Sequence, residues 1–148
     1  MQFDFVTIFP KIFDSYIGES ILKRAQEKKL VSFRAHNIRD FTSDKHKTVD
    51  DTPYGGGVGM VMKVDPIVKC LRAIERKPKT KIVLLSARGK VFTQSMAKRF
   101  AKFDQIIFVC GRYEGVDERV LEYVDEEISV GNYVLTGGEL PALTIADA

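Results

Sequence analysis

Two glycine-rich segments contain the residues best suited to forming a binding site. CGRYEGVDERV begins at Cys110, and EISVGNYVLTGGELP ends at Pro141. Glycine is favoured where the main chain must lie directly against a ligand, because it has no Cβ. Main-chain N–H and C=O groups in such loops can match the donors and acceptors along a ligand's edges. Since each segment also follows an apolar run typical of a strand, the pattern predicts a pocket lined largely by backbone.

A third glycine-rich segment, VDDTPYGGGVGMVMK, spans residues 49–63 and has neither helical nor strand periodicity. It does not match the GxGxxG nucleotide-binding pattern, because Met60 stands where the third glycine is needed. The P-loop pattern also fails, since Gly89-Lys90 is followed by Val91 instead of Ser or Thr. A long glycine-rich loop within a compact domain is usually functional or mobile, and a flexible surface connection is the alternative interpretation.

Composition limits the protein to a few classes. The 148 residues are 45% hydrophobic, which predicts one globular domain. Cys70 and Cys110 are too few for a disulfide scaffold, and His36 and His46 lack a ligand-spaced partner, so no metal site is predicted. The sequence has neither an apolar run of about 18 residues nor a signal peptide, so we expect a cytoplasmic protein with no membrane partner.

Basic residues are clustered although the net charge is only +3. Such clusters could contact phosphates, but the solvated outer face of a helix is the alternative for each. The three clusters are Lys23, Arg24, Lys28 and Lys29; Arg76, Lys77, Lys79 and Lys81; and Lys98, Arg99 and Lys102.

Strand and helix patterns alternate along the chain and predict an α/β fold with a mainly parallel sheet flanked by helices. Several of the strand candidates are apolar on both faces, as in buried parallel sheets. Strands are predicted at residues 3–9, 31–35, 81–85, 105–110 and 126–130.

Helices are predicted between these strands. We expect Asp65, Thr93 and Asp117 to cap three of them, with Pro66 in the first turn after Asp65. The predicted inner faces contain Ile17, Ile21, Leu22 and Ala25; Ile67, Val68, Leu71 and Ile74; Met96, Ala97, Phe100 and Phe103; and Val120, Leu121 and Val124.

The glycine-bearing loops at residues 86–89, 111–115 and 131–138 each follow a predicted strand. Ligands of parallel α/β sheets bind beyond the carboxyl ends of the strands, so these loops should converge on one site. A last helix is predicted from Pro141, but no glycine, asparagine or basic residue closes it before Ala148. We therefore expect a further segment to follow normally.

Four motifs resemble, in order and spacing, those of the bacterial tRNA (guanine-N1)-methyltransferase TrmD family, which belongs to the knotted SPOUT class. They are VDDTPYGGGVGMVMK, LLSARG, CGRYEGVDERV and EISVGNYVLTGGELPAL, and the similarity spans essentially the whole chain. Val58 and Ala87 stand where the family often has proline, and Thr136 replaces a common serine. These departures soften loop rigidity but remove no side-chain function.

The resemblance implies that residues 1–148 form a SPOUT domain that binds S-adenosylmethionine (SAM) in a bent shape. It also implies a deep C-terminal trefoil knot, against the general rule that chains do not thread loops. Mg²⁺ is a second cofactor that the resemblance leaves open. The implied SAM contacts are Leu85, Ser86, Ala87, Gly111, Tyr113, Glu114, Gly115, Ser129, Val130, Gly131, Asn132, Tyr133, Val134, Leu135, Gly137, Gly138 and Pro141.

Glu114 is the candidate catalytic residue of this set. Its carboxylate is the group we would place nearest the cationic sulfonium of SAM or a metal ion, because desolvating either cation unpaired is costly. The alternative roles are a charge at a helix N-terminus or an ion pair with Arg112 or Arg119.

The reaction implied by the resemblance is methylation of N1 of the tRNA guanosine 3′-adjacent to the anticodon, by a homodimer with sites between its subunits. The expected general base is an aspartate downstream of this chain, and the tRNA-binding C-terminal domain is also expected there. A chain ending at Ala148 should therefore bind SAM but turn over poorly. The candidate substrate contacts are Asp50, Tyr54, Gly55, Gly59 and Arg112.

Two other functions remain open from the sequence. One is a SPOUT methyltransferase that acts on a different RNA. The other is a nucleotide- or RNA-binding module that kept the pocket without catalysis.

Overall fold

The computed structural model describes residues 1–53, 55–56 and 58–148. Five parallel strands form the main sheet in the order β2-β1-β6-β5-β7, and a two-stranded antiparallel sheet pairs β3 with β4. The predicted α/β fold with a mainly parallel sheet is therefore confirmed. The strands are β1 (Gln2–Thr7), β2 (Ser32–Asn37), β3 (Asp50–Asp51), β4 (Val61–Met62), β5 (Thr80–Val91), β6 (Gln105–Cys110) and β7 (Glu126–Ser129).

Helices cover both faces of this sheet, because its apolar strands have two sides to bury. Phe5, Phe108 and Ala142 belong to one core cluster, and Val6, Ile67 and Ile107 belong to the other. The α-helices are α1 (Asp14–Ile17), α2 (Ser20–Glu27), α3 (Val64–Ala73), α4 (Gln94–Phe100) and α5 (Glu139–Asp147), and 3₁₀ helices lie at Pro10–Ile12, Ile38–Phe41 and Glu118–Tyr123. No helix in the described part of the chain has the length and apolar character needed to cross a membrane.

Two of the three predicted caps are confirmed. The Thr93 side chain accepts from the Met96 N–H at 3.4 Å, and the Asp117 side chain accepts from the Arg119 N–H. The element after Asp117 is a 3₁₀ helix in which Leu121 is exposed, so the prediction that Leu121 faces inward was wrong. The Asp65 cap was also wrong, because α3 begins at Val64 and Lys63 occupies the N-cap position without a side-chain hydrogen bond.

The apolar face predicted for residues 17–25 is divided between two helices. Gly18 ends α1, and α2 begins at Ser20, whose φ is 49°. Because this break changes the helical phase, Ile21 is 66% exposed instead of packed with Ile17. The assignment of Ile21 to an inner face was therefore wrong.

Strand β5 continues beyond the point where the sequence predicted a loop. Its pairing with β7 is irregular, since Leu85 and Lys90 both lie opposite Ile128. The predicted loop at 86–89 is thus an excursion within a long strand, and the chain returns to β7 at Lys90 and Val91.

A buried carboxylate joins the first two strands of the sheet. Asp4 is fully buried and accepts hydrogen bonds from Gln2 and Gln105, each at 2.8 Å. The His36 ring nitrogen lies 2.7 Å from the other Asp4 oxygen. Burial alone would raise the pKa of Asp4, but the hydrogen bonds from His36, Gln105 and Gln2 outweigh it and hold the pKa below its ordinary value of 3.8.

This depressed pKa predicts an acid-sensitive contribution to stability. Because the folded state binds the Asp4 proton less tightly than the unfolded state, the contribution is present above pH 3.8 and is lost as the pH falls through the lower folded value. Asp4→Asn should lower the free energy of unfolding at neutral pH. It should also make that free energy fall less steeply as the pH drops below 3.8. Urea titrations of both proteins at a series of pH values measure this, and parallel curves would contradict the assignment.

Candidate functional site

A cavity of about 450 Å³ lies at the carboxyl ends of β6 and β7 and beside the excursion of β5 at residues 86–89. The three predicted loops converge there, as expected for the edge of a parallel sheet. Gly131 and Asn132 are the two predicted SAM contacts outside its lining. The predicted residues that line it are Leu85, Ser86, Ala87, Gly111, Tyr113, Glu114, Gly115, Ser129, Val130, Tyr133, Val134, Leu135, Gly137, Gly138 and Pro141.

Gly131 lies outside the lining because its loop folds back on itself. The Ser129 hydroxyl donates to the Gly131 carbonyl at 2.9 Å and accepts from the Gly131 N–H at 3.2 Å. The ring of Tyr133 occupies the space that a Cβ on Gly131 would need. This local turn leaves Tyr133, which is 57% exposed, at the cavity wall.

The loop before α5 lies directly on the loop after β6. The Gly138 N–H donates to the Gly111 carbonyl at 2.9 Å. A Cβ on Gly138 would lie 2.7 Å from the Cα of Cys110, so only glycine allows this approach. Main chain from the second and third loops therefore forms one continuous wall.

The remaining walls combine apolar side chains with exposed rims. Leu85 is 5% exposed at the base, whereas Val134 is 84% exposed and Leu135 is 40% exposed at the opening. A concave site with apolar walls and a few polar main-chain groups is the usual form of a small-molecule site. The volume of the cavity also falls within the range of roughly 300–1,000 Å³ common for such sites.

Arg112 lines the cavity but is already bound to the protein. Its Nε donates to the Glu139 carboxylate at 2.9 Å, and its Nη1 donates to the Thr136 carbonyl at 3.2 Å. Glu139 is 1% exposed, and Thr7 donates to its other oxygen at 2.7 Å. Arg112 is therefore ion-paired to a buried carboxylate behind the cavity wall.

Glu114 is exposed on the rim of the cavity. Its N–H donates to the Met60 carbonyl at 3.0 Å, and the space beside Gly59 is filled by its side chain. Arg112 forms its ion pair with Glu139, and Arg119 forms one with Asp117. Neither of these two ion pairs involves Glu114. The loop around Glu114 is tightly turned, with φ of 60° at Tyr113 and 131° at Gly115.

The third glycine-rich segment packs beside this loop. Met62 donates to the Gly115 carbonyl at 3.0 Å and accepts from the Asp117 N–H at 2.9 Å. Of the predicted substrate residues, Arg112 lines the main cavity, and Gly59 lies outside the lining but against the side chain of Glu114. This arrangement places part of the predicted substrate side next to the predicted cofactor side.

Asp50 and Gly55 lie outside the lining of the main cavity. Asp50 is half-buried in β3 opposite Met62, away from the lining of the main cavity. Gly55 lines a second cavity of about 630 Å³, together with residues such as Lys63 and Asp117. Tyr54 falls outside the described residues.

Neither cysteine is prepared for nucleophilic chemistry. Burial raises the pKa of the Cys70 thiol to about 12. Burial, followed by the charge of Glu139, also raises the pKa of the Cys110 thiol well above its usual range. Both sulfurs are therefore protonated at neutral pH, and the thiolate is the reactive form.

Metal ligands are not clustered in the described ranges 1–53, 55–56 and 58–148. No three His, Cys, Asp or Glu side chains there are grouped so as to hold an ion. Mg²⁺ therefore stays an expectation from the resemblance alone.

Sequence reasoning missed three contributors to the site. The sequence places Glu139 in the GGELP motif, Thr7 in a predicted strand and Arg88 in a predicted loop. Arg88 lines the cavity and donates to Glu118 at 2.7 Å and to Glu127 at 2.9 Å, which ties the excursion of β5 to the elements beside it. No local pattern marks such partners, because they lie 30 and 39 residues from Arg88 in sequence.

Comparisons with known proteins agree with these motifs. A family model described as tRNA (Guanine-1)-methyltransferase TrmD matches residues 1–148. A tRNA (guanine-N(1)-)-methyltransferase of Geobacter metallireducens is 52% identical over 150 residues, covering 100% of this chain and 61% of the relative. Enzymes with the same name from Dictyoglomus turgidum and Ruminiclostridium cellulolyticum are each 53% identical, and the matches cover 60% and 64% of their lengths. The chain thus spans about three fifths of the length of these curated relatives.

Proposed function

Because the chain belongs to the tRNA (guanine-1)-methyltransferase TrmD family, we propose that it forms the SAM-binding part of an enzyme that methylates tRNA. The proposed target is N1 of the guanosine 3′-adjacent to the anticodon. The single observation that best supports this proposal is the convergence of three separated loops on one cavity of suitable size.

The apolar walls and main-chain polar groups of this cavity support SAM as its ligand. When bound, SAM supplies an activated methyl group on a cationic sulfonium. Main-chain groups around Gly111 and Gly138 would meet the polar edges of its adenosine, and Leu85 and Val130 would cover its apolar surface. The Glu114 carboxylate is the negative charge that we assign to the sulfonium side.

The substrate base would enter beside Gly59, which contacts Glu114 across the rim. Attack by N1 of guanine requires loss of its proton, for which a general base typically contributes about 10²–10⁴-fold. We assign that base to no residue of this chain. The proposed role of the present residues is to hold the methyl donor and to form one side of the guanine site.

We also propose a homodimer and a trefoil knot around the cavity. Exposed apolar side chains at the cavity rim and on α5, such as Val134 and Leu140, support a subunit interface there. The trefoil knot is proposed from the family to which the chain belongs. Sedimentation equilibrium of the chain tests whether it forms a dimer. The proposed tRNA substrate favours the cytoplasm as the compartment of the protein.

Calorimetric titration of the chain with SAM and with the neutral product S-adenosylhomocysteine tests the proposed site. The wild type should bind both compounds. Glu114→Gln should lower the affinity for SAM by up to about fivefold, which is the contribution expected of an exposed ion pair. The loss should be specific to SAM, because only SAM carries the sulfonium charge. The affinity for S-adenosylhomocysteine should stay close to that of the wild type.

Glu122→Gln is the matched control, since Glu122 is exposed like Glu114 but lies outside the cavity lining. It should leave both affinities unchanged. If Glu114→Gln lost the same affinity for both compounds, Glu114 would not act through its charge on the sulfonium. A folded wild type that binds neither compound would contradict the proposed site. The tRNA target is tested separately by mass spectrometry, which should show loss of N1-methylguanine beside the anticodon in cells depleted of the protein.

A further inference from the structure

Glu139 is a buried charge for which the proposed chemistry has no direct use. Its side chain is 1% exposed, yet both carboxylate oxygens have partners. Thr7 Oγ1 donates to Oε1 at 2.7 Å, and Arg112 Nε donates to Oε2 at 2.9 Å. A charge in this position is costly unless it is paired and hydrogen-bonded, so its surroundings must keep these partners in place.

Arg112 extends this pair to the main chain of the binding loop. Its Nη1 donates to the Thr136 carbonyl at 3.2 Å, immediately before Gly137 and Gly138. Its guanidinium carbon also lies 4.9 Å from the centre of the Phe9 ring, which holds the planar group from the other side. The position of Thr136 is thereby tied to the guanidinium.

The network closes through the end of β1. The Phe9 N–H donates to Thr7 Oγ1 at 2.9 Å, and the same hydroxyl donates to Glu139. Three elements are joined in this way: the end of β1, the loop after β6, and the start of α5. Each belongs to a different part of the sequence, and Thr7 and Glu139 are 132 residues apart.

The network also explains why residue 137 is glycine. A Cβ at this position would overlap the Arg112 side chain, which cannot move aside without breaking its bond to Glu139. Arg112, Thr136, Gly137 and Gly138 all line the cavity, whereas Glu139 and Thr7 lie behind them.

We propose that Glu139 is a positioning residue for the methyl donor: through Arg112 it fixes the main chain of residues 136–138 in the conformation that closes the cavity. This inference rests on the proposed function, because it assigns the loop to SAM. The planar, forked guanidinium suits the task, since it can hold a carboxylate and a carbonyl at the same time in a fixed geometry.

The test combines two measurements on the whole chain with Glu139→Gln, Arg112→Met and the double variant. Glu139→Gln keeps the shape of the side chain and removes its charge, and circular dichroism verifies folding. Hydrogen exchange of residues 136–138 should accelerate by about tenfold in each variant, because the loop opens more often. The dissociation constant of SAM should rise by about tenfold in each single variant. In the double variant it should rise by much less than the product of the two single-variant factors.

Two further variants separate positioning from general stability. Arg112→Lys keeps the charge without the fork, so it should recover only part of the affinity lost in Arg112→Met. Arg99→Met removes another arginine–glutamate pair, that with Glu126, outside the cavity lining. It should leave both the exchange of residues 136–138 and the SAM affinity unchanged.

Each outcome decides the inference. Unchanged exchange in Glu139→Gln and Arg112→Met would show that the network does not hold the loop. Faster exchange with SAM affinity equal to that of the wild type would show that the held loop does not position the donor. A wild type that binds no SAM would overturn the proposed function and the cofactor role with it, while the exchange arm would still decide whether Glu139 fixes the loop.

Discussion

Gly138→Ala should weaken SAM binding strongly while the chain still folds. The added Cβ would lie 2.7 Å from the Cα of Cys110 and 3.0 Å from the N of Gly111. Both are main-chain atoms, at the end of β6 and at the start of the loop that follows it, so no side chain can rotate to make space. The φ and ψ of Gly138, −82° and −6°, are accessible to alanine, and the effect is therefore steric rather than conformational.

Relief of this overlap requires the loop at residues 136–138 to move away from β6. That movement stretches the 2.9 Å hydrogen bond from the Gly138 N–H to the Gly111 carbonyl and deforms the cavity wall. Overpacking of this kind costs roughly 1–3 kcal/mol. If the SAM-bound state bears that cost, the dissociation constant of SAM rises by about 5- to 160-fold, which calorimetry can measure.

Gly111→Ala provides the contrast, because it adds the same methyl group to the facing loop. Its Cβ would meet Val116 Cγ1 at 3.4 Å and the Leu85 carbonyl oxygen at 3.7 Å, which are close to ordinary contacts. We expect a smaller loss of affinity and little change in unfolding temperature. Equal affinities in Gly138→Ala and wild type would show that the seating of these loops does not shape the site.

The sheet and the convergence of its loops could be predicted because the signals are local or follow a general rule. The QIIFVC run alone predicts the buried strand at Gln105–Cys110, and all six of its residues are buried. Once the strands are parallel, the loops that follow them must share one edge. The position of Gly111 at the cavity therefore followed from the strand before it.

The network behind the cavity could not be predicted, since it depends on tertiary contacts. Glu139 follows two glycines at the start of a helix, where an acidic residue is favoured on electrostatic grounds alone. Nothing in that setting indicates that its carboxylate is buried against Thr7 and Arg112. The extension of β5 past residue 86 was missed for the same reason, because Lys90 and Val91 are held as strand residues only by their pairing with β7.

Gly89→Ala should lower the stability of the fold substantially. A Cβ on Gly89 would lie 2.6 Å from both the N and the C of Ile128 and 2.7 Å from the C of Glu127. These are main-chain atoms of β7, at the point where β5 resumes its pairing. The strand must shift to accommodate the methyl group, and the hydrogen bond from Phe92 to Ser129 at 2.8 Å shifts with it.

We expect the free energy of unfolding to fall by roughly 1–3 kcal/mol, with the melting temperature falling by about 2–4 °C per kcal/mol for a chain of this size. Because β7 leads directly to Ser129 and Val130 in the cavity wall, SAM binding should weaken in parallel. Thermal unfolding with and without SAM measures both effects.

Lys90→Ala is the matched control for this strand. Lys90 is exposed and pairs with the same Ile128, so its truncation keeps the main-chain contact and should change stability by no more than about 0.5 kcal/mol. Similar melting temperatures for Gly89→Ala and Lys90→Ala would mean that β7 can retreat from residue 89 at little cost. In that event the cavity wall at Ser129 and Val130 would not depend on the return of β5, and its shape would have to come from the loop before α5 alone.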